Sequence, residues 1–369
     1  MNFNDFSPSL QLLIILCKPE WSEFDIEFIE KHRSEDQTIL LKLADRHRVS
    51  PLVWTANQKL HLFSVPNANT LENNGRENQL RALQSKALQT KLLVLMKEKG
   101  INGVFLKGTS IAERFYQDVA ERHVLDLDLW VGEGSIKLMT EELCSLGFEP
   151  FPNILDFTRA QWNFFIATHH DIYFSAIGDR YSIPIELHWQ LRSSFGGFDF
   201  NPDGPMHSYD EFLYLCVHGT EHGWFRLKWL VDIPRIIAKS NFDWNGMRRR
   251  AIELNCLKHF EITLLVLDRL RVLPLPNLFN SSINPDSYKY QLKYILKVLG
   301  SDSYFNDTDK NRANYYRYLW TLSRNKWNGK FILNFLTSPN DWKTISLPSS
   351  LFFLYFLLRP FIWAYRRVR

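Results

Sequence analysis

Cysteine is scarce in this sequence. Cys17, Cys144, Cys216 and Cys256 stand far apart in 369 residues and form no C-x-x-C pair. That spacing excludes a zinc knuckle and reads as reduced thiols filling a core, as expected in a cytoplasm. Long apolar runs are also missing. Leu10 to Cys17 and Leu351 to Leu358 are the strongest candidates, and both fall well short of the ~20 residues that span a bilayer. The N-terminus has neither a basic n-region nor a small-residue cleavage site, so no export signal is expected. Charge of one sign is not in excess: 44 Lys and Arg face 40 Asp and Glu, for a net +4. The basic residues are scattered until the C-terminus, so charge leaves no nucleic-acid footprint, and a long nucleic acid is the poorest partner. No nucleophile, base and orienter constellation suggests a hydrolase.

What is present is material for a large core, with 45% hydrophobic and 15% aromatic residues. Three consecutive regions follow from periodicity. Residues 1–98 read as helical, with "LLKLADRHRVSPLVWTANQKL" and "ENQLRALQSKALQTKLLVLMKEKG", the latter ending at Gly100 as a helix C-cap would. Residues 99–195 alternate short β-branched or aromatic runs with helical stretches such as "IKLMTEELCSLG", giving an α/β core. Within it, "HDIYFSA" and "YSIPIELHW" flank "IGDR", a hairpin turn signal, so these strands should be antiparallel neighbours. A Gly/Pro/Asn/Asp-rich linker then leads to a second helical region, 196–369.

The core holds a local contradiction. "VLDLDLWV" reads as a strand with Leu125, Leu127 and Leu129 on one face and Asp126 and Asp128 on the other. Aspartate disfavours strands, and two neighbouring carboxylates repel, so something must neutralise them. In "IPIELHW", Glu186 shares its face with Pro184 and His188 and adds a third carboxylate. Pro184 lacks a ladder donor and suggests an edge strand or a bulge. Upstream, "VFLKGTSIAERFYQD" reads as a buried strand, Val104 to Leu106, a tight turn at Lys107 and Gly108, and a helix beginning near Thr109 or Ser110. A helix start presents free N–H groups, Gly108 permits close approach of a ligand, and Lys107 adds charge, so a phosphate is the expected guest. A lone D-x-D is more often a solvated pair. Three carboxylates beside a phosphate-binding helix start instead describe a two-metal phosphoryl-transfer site.

"LKGTSIAERFYQDVAERHVLDLDLWV" resembles the signature of the uncharacterised nucleotidyltransferase family of the DNA polymerase β-like nucleotidyltransferase superfamily, through Lys107, Gly108, Tyr116, Arg122, Asp126 and Asp128. "IELHWQL", "LCVHGTEHGWFRLKWLVDI", "ADRHRVSPLV" and "LPSSLFFLYFLLRP" extend the resemblance over nearly the whole chain. It implies an α+β fold, a polymerase β-like core with a mixed sheet between helical flanks. It also implies metal and catalytic ligands at Asp126, Asp128 and Glu186, and a triphosphate loop at Gly108, Thr109 and Ser110. With Lys107 and Arg122 these make the candidate nucleotide-binding set. The implied cofactor is Mg²⁺ or Mn²⁺, with an NTP as co-substrate and an acceptor that could be a small molecule, peptide or protein. A nucleotide-binding regulatory protein is the alternative.

Other residues invite plainer readings. His218 and His222 have i, i+4 spacing but lack the H-E-x-x-H order, so polar packing is preferred to zinc. Arg226 and Asp232 are expected to pair. Arg122 is split evenly between touching phosphate and holding the aspartate strand, and His188 leans toward a structural role beside Trp189. The segment from Leu351 is apolar on every side of a helical wheel and ends in Arg366, Arg367 and Arg369. Docking on the protein's own helices is preferred there to an interfacial membrane anchor.

Overall fold

The computed structural model describes residues 1–176, 183–191, 208–240, 243–301, 309–322, 333 and 336–368. The chain opens with helices α1 (Pro8–Leu16), α2 (Glu23–Lys31), α3 (Gln37–His47), α4 (Ser50–Leu60) and the long α5 (Val65–Lys99). Their starts follow local chemistry. Ser7, Ser22 and Asp36 each turn a side-chain oxygen onto the first free N–H groups of α1, α2 and α3, and Ser22 completes a capping box with Asp25. Gly100 at φ 65° ends α5 in the left-handed conformation read from the sequence.

Strand β1 (Gly103–Phe105) leads to α6 (Thr109–Phe115), and β2 (Leu127–Val131) to α7 (Ile136–Ser145). Then come β3 (Phe148–Phe151), α8 (Arg159–Thr168), β4 (Asp171–Ala176) and β5 (Ile185–His188). Helices follow: α9 (Ser208–Glu221), α10 (Leu227–Leu230), α11 (Asp232–Lys239), α12 (Trp244–Glu253), α13 (Leu257–Arg269), α14 (Lys289–Leu299), α15 (Asp309–Leu322), α16 (Pro339–Thr344) and α17 (Leu354–Val368). The fold is α+β with one mixed sheet of order β1-β2-β5-β4-β3. β5 runs parallel to β2 and antiparallel to β4, and β4 is antiparallel to β3. The antiparallel pairing matches the hairpin expectation, while its turn lies outside the described residues. The edge position expected from Pro184 is not found. β5 is central, and Pro184 stands one residue before it, where its carbonyl accepts the Leu127 N–H at 2.9 Å.

Two compact units cut across the three consecutive regions of the sequence. One comprises residues 1–91, 105–125 and 194–324, the other residues 92–104, 126–193 and 325–369.

The first unit is helical. α9 packs on α13, with Phe212, Tyr214, Trp224 and Phe260 fully buried. Gly219 is required there, because a Cβ on it would lie 2.2 Å from the Trp224 ring. Cys17, Cys216 and Cys256 are buried and free, and burial pushes the Cys17 and Cys256 thiols up to about 12. These three fill core as expected, whereas Cys144 is only half-buried.

The second unit holds the sheet chemistry. Leu127, Leu129, Val131, Ile185, Leu187, Ile172 and Phe174 occupy alternate positions and are almost wholly buried. One side of α17 packs within this unit. The Tyr355 hydroxyl donates to the Ile345 carbonyl at 2.7 Å and accepts from Leu347 N–H at 3.0 Å. Arg359 and Arg366 both reach the buried Asp341. Leu357, Phe361, Trp363 and Tyr365 of this helix stay exposed, as does Phe353 just before it. No helix among the described residues is long and apolar enough to cross a membrane.

Candidate active site

Alternation along paired strands builds the site. The parallel register sets Asp128 beside Glu186 and Trp130 beside His188. The antiparallel register sets Asp171 against His188 and Tyr173 against Glu186. All six side chains therefore belong to the sheet face opposite the apolar one.

Three of them converge. His188 Nε2 lies 3.2 Å from Asp128 Oδ1 and 3.5 Å from Glu186 Oε2. Asp128 and His188 are buried, whereas the Glu186 side chain keeps 29% of its surface exposed. Burial alone would depress the imidazole pKa. Hydrogen bonds with Asp128 and Glu186, joined by the charges of Asp128 and Asp171, outweigh it and raise His188 to about 9. An imidazolium thus supplies the neutralising charge that the sequence demanded of a metal. Its Nδ1 is buried without a hydrogen-bond partner among the described residues, so the ring's hydrogen bonds are made through Nε2, and the His170 ring lies 6.4 Å away.

Asp126 sits differently from expectation. The strand begins at Leu127, leaving Asp126 half-exposed one residue before it. Among the described residues, the donors within 4.8 Å of one another are Asp128, Glu186 and His188. The expected pair of strand aspartates becomes one aspartate with a histidine from the next strand. The signal for His188 was its i+2 spacing from Glu186, which places both on one face. Asp171 was missed; "HHDIYFSA" carries no spacing cue that links it to the other strands.

The remaining candidates lie in the helical unit. Gly108 takes φ 66°, ψ −127°, a backbone conformation open to glycine and strained for other residues, just before α6. No side chain caps that helix start. Thr109 is fully buried, and its hydroxyl meets Ser85 Oγ at 2.6 Å, so the fold occupies it. Ser110 Oγ accepts from Arg114 at 3.3 Å, and Arg114 forks onto Glu211. Lys107 is half-buried.

Arg122 is 3% exposed and Asp232, the first residue of α11, 1%. The guanidinium donates to Asp232 through Nε at 2.9 Å and Nη2 at 2.8 Å, and the Tyr116 hydroxyl adds a third bond at 2.6 Å. Asp232 therefore pairs with Arg122, not with Arg226 as expected. Asn78 Nδ2 donates to the Arg122 carbonyl at 3.0 Å, and its Oδ1 accepts from Val124 N–H at 2.9 Å, which pins the segment leading toward the aspartates. His218 and His222 enter an aromatic cluster, their rings 5.2 and 5.3 Å from that of Trp229. Neither belongs to a metal-ligand group among the described residues.

A family model described as uncharacterised nucleotidyltransferase matches residues 33–271, well over half of the chain. The chain belongs to that family. The matched span contains Lys107 to Ser110, Arg122, Asp126, Asp128, Glu186 and His188, and stops before α14 to α17. The class of chemistry is nucleotidyl transfer. No curated protein and no solved structure matches the chain. The donor set could hold the divalent cation that such chemistry uses: two carboxylates supply hard oxygens, and the imidazole offers a nitrogen once its proton is displaced.

Proposed function

We propose that this protein moves a nucleoside monophosphate group from an NTP to an acceptor hydroxyl or phosphate, releasing pyrophosphate. The observation that carries the reading is the convergence of Asp128 and Glu186 on one sheet face, inside the family match. Asp128 and Glu186 are the ligands on this reading, with Asp126, adjacent in the chain, as a third carboxylate. Mg²⁺ or Mn²⁺ bound there would lower the pKa of the acceptor hydroxyl and neutralise charge on the triphosphate. The residues themselves do the positioning. Taken by itself within the helical unit, the uncapped start of α6 at Gly108, with the charge of Lys107 and the hydroxyl of Ser110, is a candidate phosphate-binding turn. Arg122 acts at one remove, by holding the segment that enters β2. A small molecule, peptide or protein suits the near-neutral charge better than a long nucleic acid. The free cysteines suit a cytoplasmic setting.

The test is incubation of pure protein with each labelled NTP, Mg²⁺ or Mn²⁺ and a cell lysate. A labelled acceptor formed by the wild type and lost in Asp128→Asn and Glu186→Gln is expected. NTP binding without label transfer would favour a regulatory nucleotide-binding role, and wild-type labelling by both variants would overturn the assignment of ligands.

A further inference from the structure

The carboxylates resemble those of any two-metal site, but the imidazole between them does not. Resting on the reading of Asp128 and Glu186 as cation ligands, we propose that His188 Nε2 is itself an inner-sphere ligand. The site is then a mixed nitrogen–oxygen one that takes Mn²⁺ in preference to Mg²⁺.

The geometry supports this. Donors bound ~2.1 Å from one small ion are separated by about 3.0 Å at octahedral angles and about 3.4 Å at tetrahedral ones. His188 Nε2 stands 3.2 Å from Asp128 Oδ1 and 3.5 Å from Glu186 Oε2. Nε2 is thus spaced from each oxygen as a ligand is from its neighbour, the donors of all three residues lie within 4.8 Å of one another, and a proton holds the ion's place. Strand register enforces the arrangement. Asp128 and Glu186 are directly paired, and His188 is two residues along β5 on the same face. The partly exposed Glu186 leaves an approach from solvent. Mg²⁺ favours oxygen donors and retained water, whereas imidazole suits first-row transition ions. Mn²⁺ accepts both.

A merely structural histidine, donating a hydrogen bond to Asp128, would also stabilise the strand pair. Spectroscopy separates the two roles. Mn²⁺ alone is added to the metal-stripped full chain, and pulsed electron paramagnetic resonance reads nuclei bonded to the ion. Directly coordinated ¹⁴N coupling is expected in the wild type. It should change to ¹⁵N coupling in protein grown with ¹⁵N-histidine and vanish in His188→Gln, while Asp128→Asn should lose the bound ion. His188→Asp, which makes the set all-oxygen, should reduce the preference for Mn²⁺ over Mg²⁺ by tenfold or more in competition titrations. Isotope substitution in the wild type keeps the test valid if His188→Gln fails to fold. Bound Mn²⁺ without nitrogen coupling, or coupling that survives in His188→Gln, overturns the ligand assignment and leaves nucleotidyl transfer standing. No bound Mn²⁺ at any concentration would remove the metal reading as well.

Discussion

Replacing Arg122 by methionine should cost stability, and the amount separates a fold-holding arginine from a phosphate-binding one. The Asp232 carboxylate is buried and accepts three hydrogen bonds, two from Arg122 and one from Tyr116. Taking away the guanidinium strands that charge in a low-dielectric interior, at about 3–5 kcal/mol. Asp232→Leu should cost a similar amount, because it leaves the guanidinium unpaired instead. The Arg122→Met/Asp232→Leu double variant, with Tyr116→Phe to remove the orphaned hydroxyl, should be no worse than either single change. With Tyr116→Phe present at every corner, the cycle then shows a coupling of at least about 3 kcal/mol. At ~2–4 °C per kcal/mol for a domain of 150–250 residues, each single change should lower the Tm on the order of 10 °C. Thermal melts and urea titrations of the intact chain, followed by two independent probes, provide the measurement. Single variants that lose under ~1 kcal/mol and add independently would refute the argument. Nucleotide affinity lost at unchanged stability in Arg122→Met would place the arginine on phosphate.

Further expectations follow from the same physics. Gly219→Ala drives a methyl into the fully buried Trp224 ring and should cost at least the ~1–3 kcal/mol typical of overpacking; an unchanged Tm would show that the ring yields. In the metal-free protein the raised pKa of His188 stabilises the fold fully below pH ~6.5, and that contribution, at most about 3 kcal/mol, fades as pH rises toward about 9. Tm–pH curves should show an alkaline decline that flattens in His188→Gln; identical curves would sink this. His123 has the opposite sign: burial, then the charges of Lys228 and Arg48, lower it to about 3, and burial lowers His47 as well. Their neutral forms support folding above pH ~6.5, with loss as pH falls from there, so acid unfolding should weaken in His123→Gln. Removing residues after Pro348 deletes Tyr355 and strips Arg359 and Arg366 from buried Asp341. That truncation should aggregate or melt early, and a soluble product with wild-type Tm would contradict the packing described.

Much of the fold was legible because the relevant forces are local. The Gly100 terminus and the α7 periodicity depend on neighbours within a few residues, and the β4–β5 pairing joins segments that follow one another in the chain. The face shared by Glu186 and His188 follows from period two alone. Asp126 was misplaced because strand ends depend on the partner: the ladder starts where Pro184 can offer its carbonyl to Leu127, one residue past Asp126. The same partner makes β5 central, since a proline just before a strand removes no donor from its ladder. The contacts of His188 were hidden for a different reason. A sequence shows that two side chains share a face, but not that a parallel neighbour places a third charge beside them. Likewise, nothing near Asp232 in the sequence selects an arginine 110 residues away over one six residues away.

The two faces of the sheet also divide the burden of inheritance. On one, Leu127, Leu129, Ile185 and Leu187 are judged by how much folded protein a cell retains, and swaps of similar volume should pass. On the other, Asp128, Glu186 and His188 would be judged by turnover, and isosteric amides should be rejected even where abundance survives. Mutational tolerance measured through these strands should therefore switch its currency at every residue: abundance at odd positions, activity at even ones.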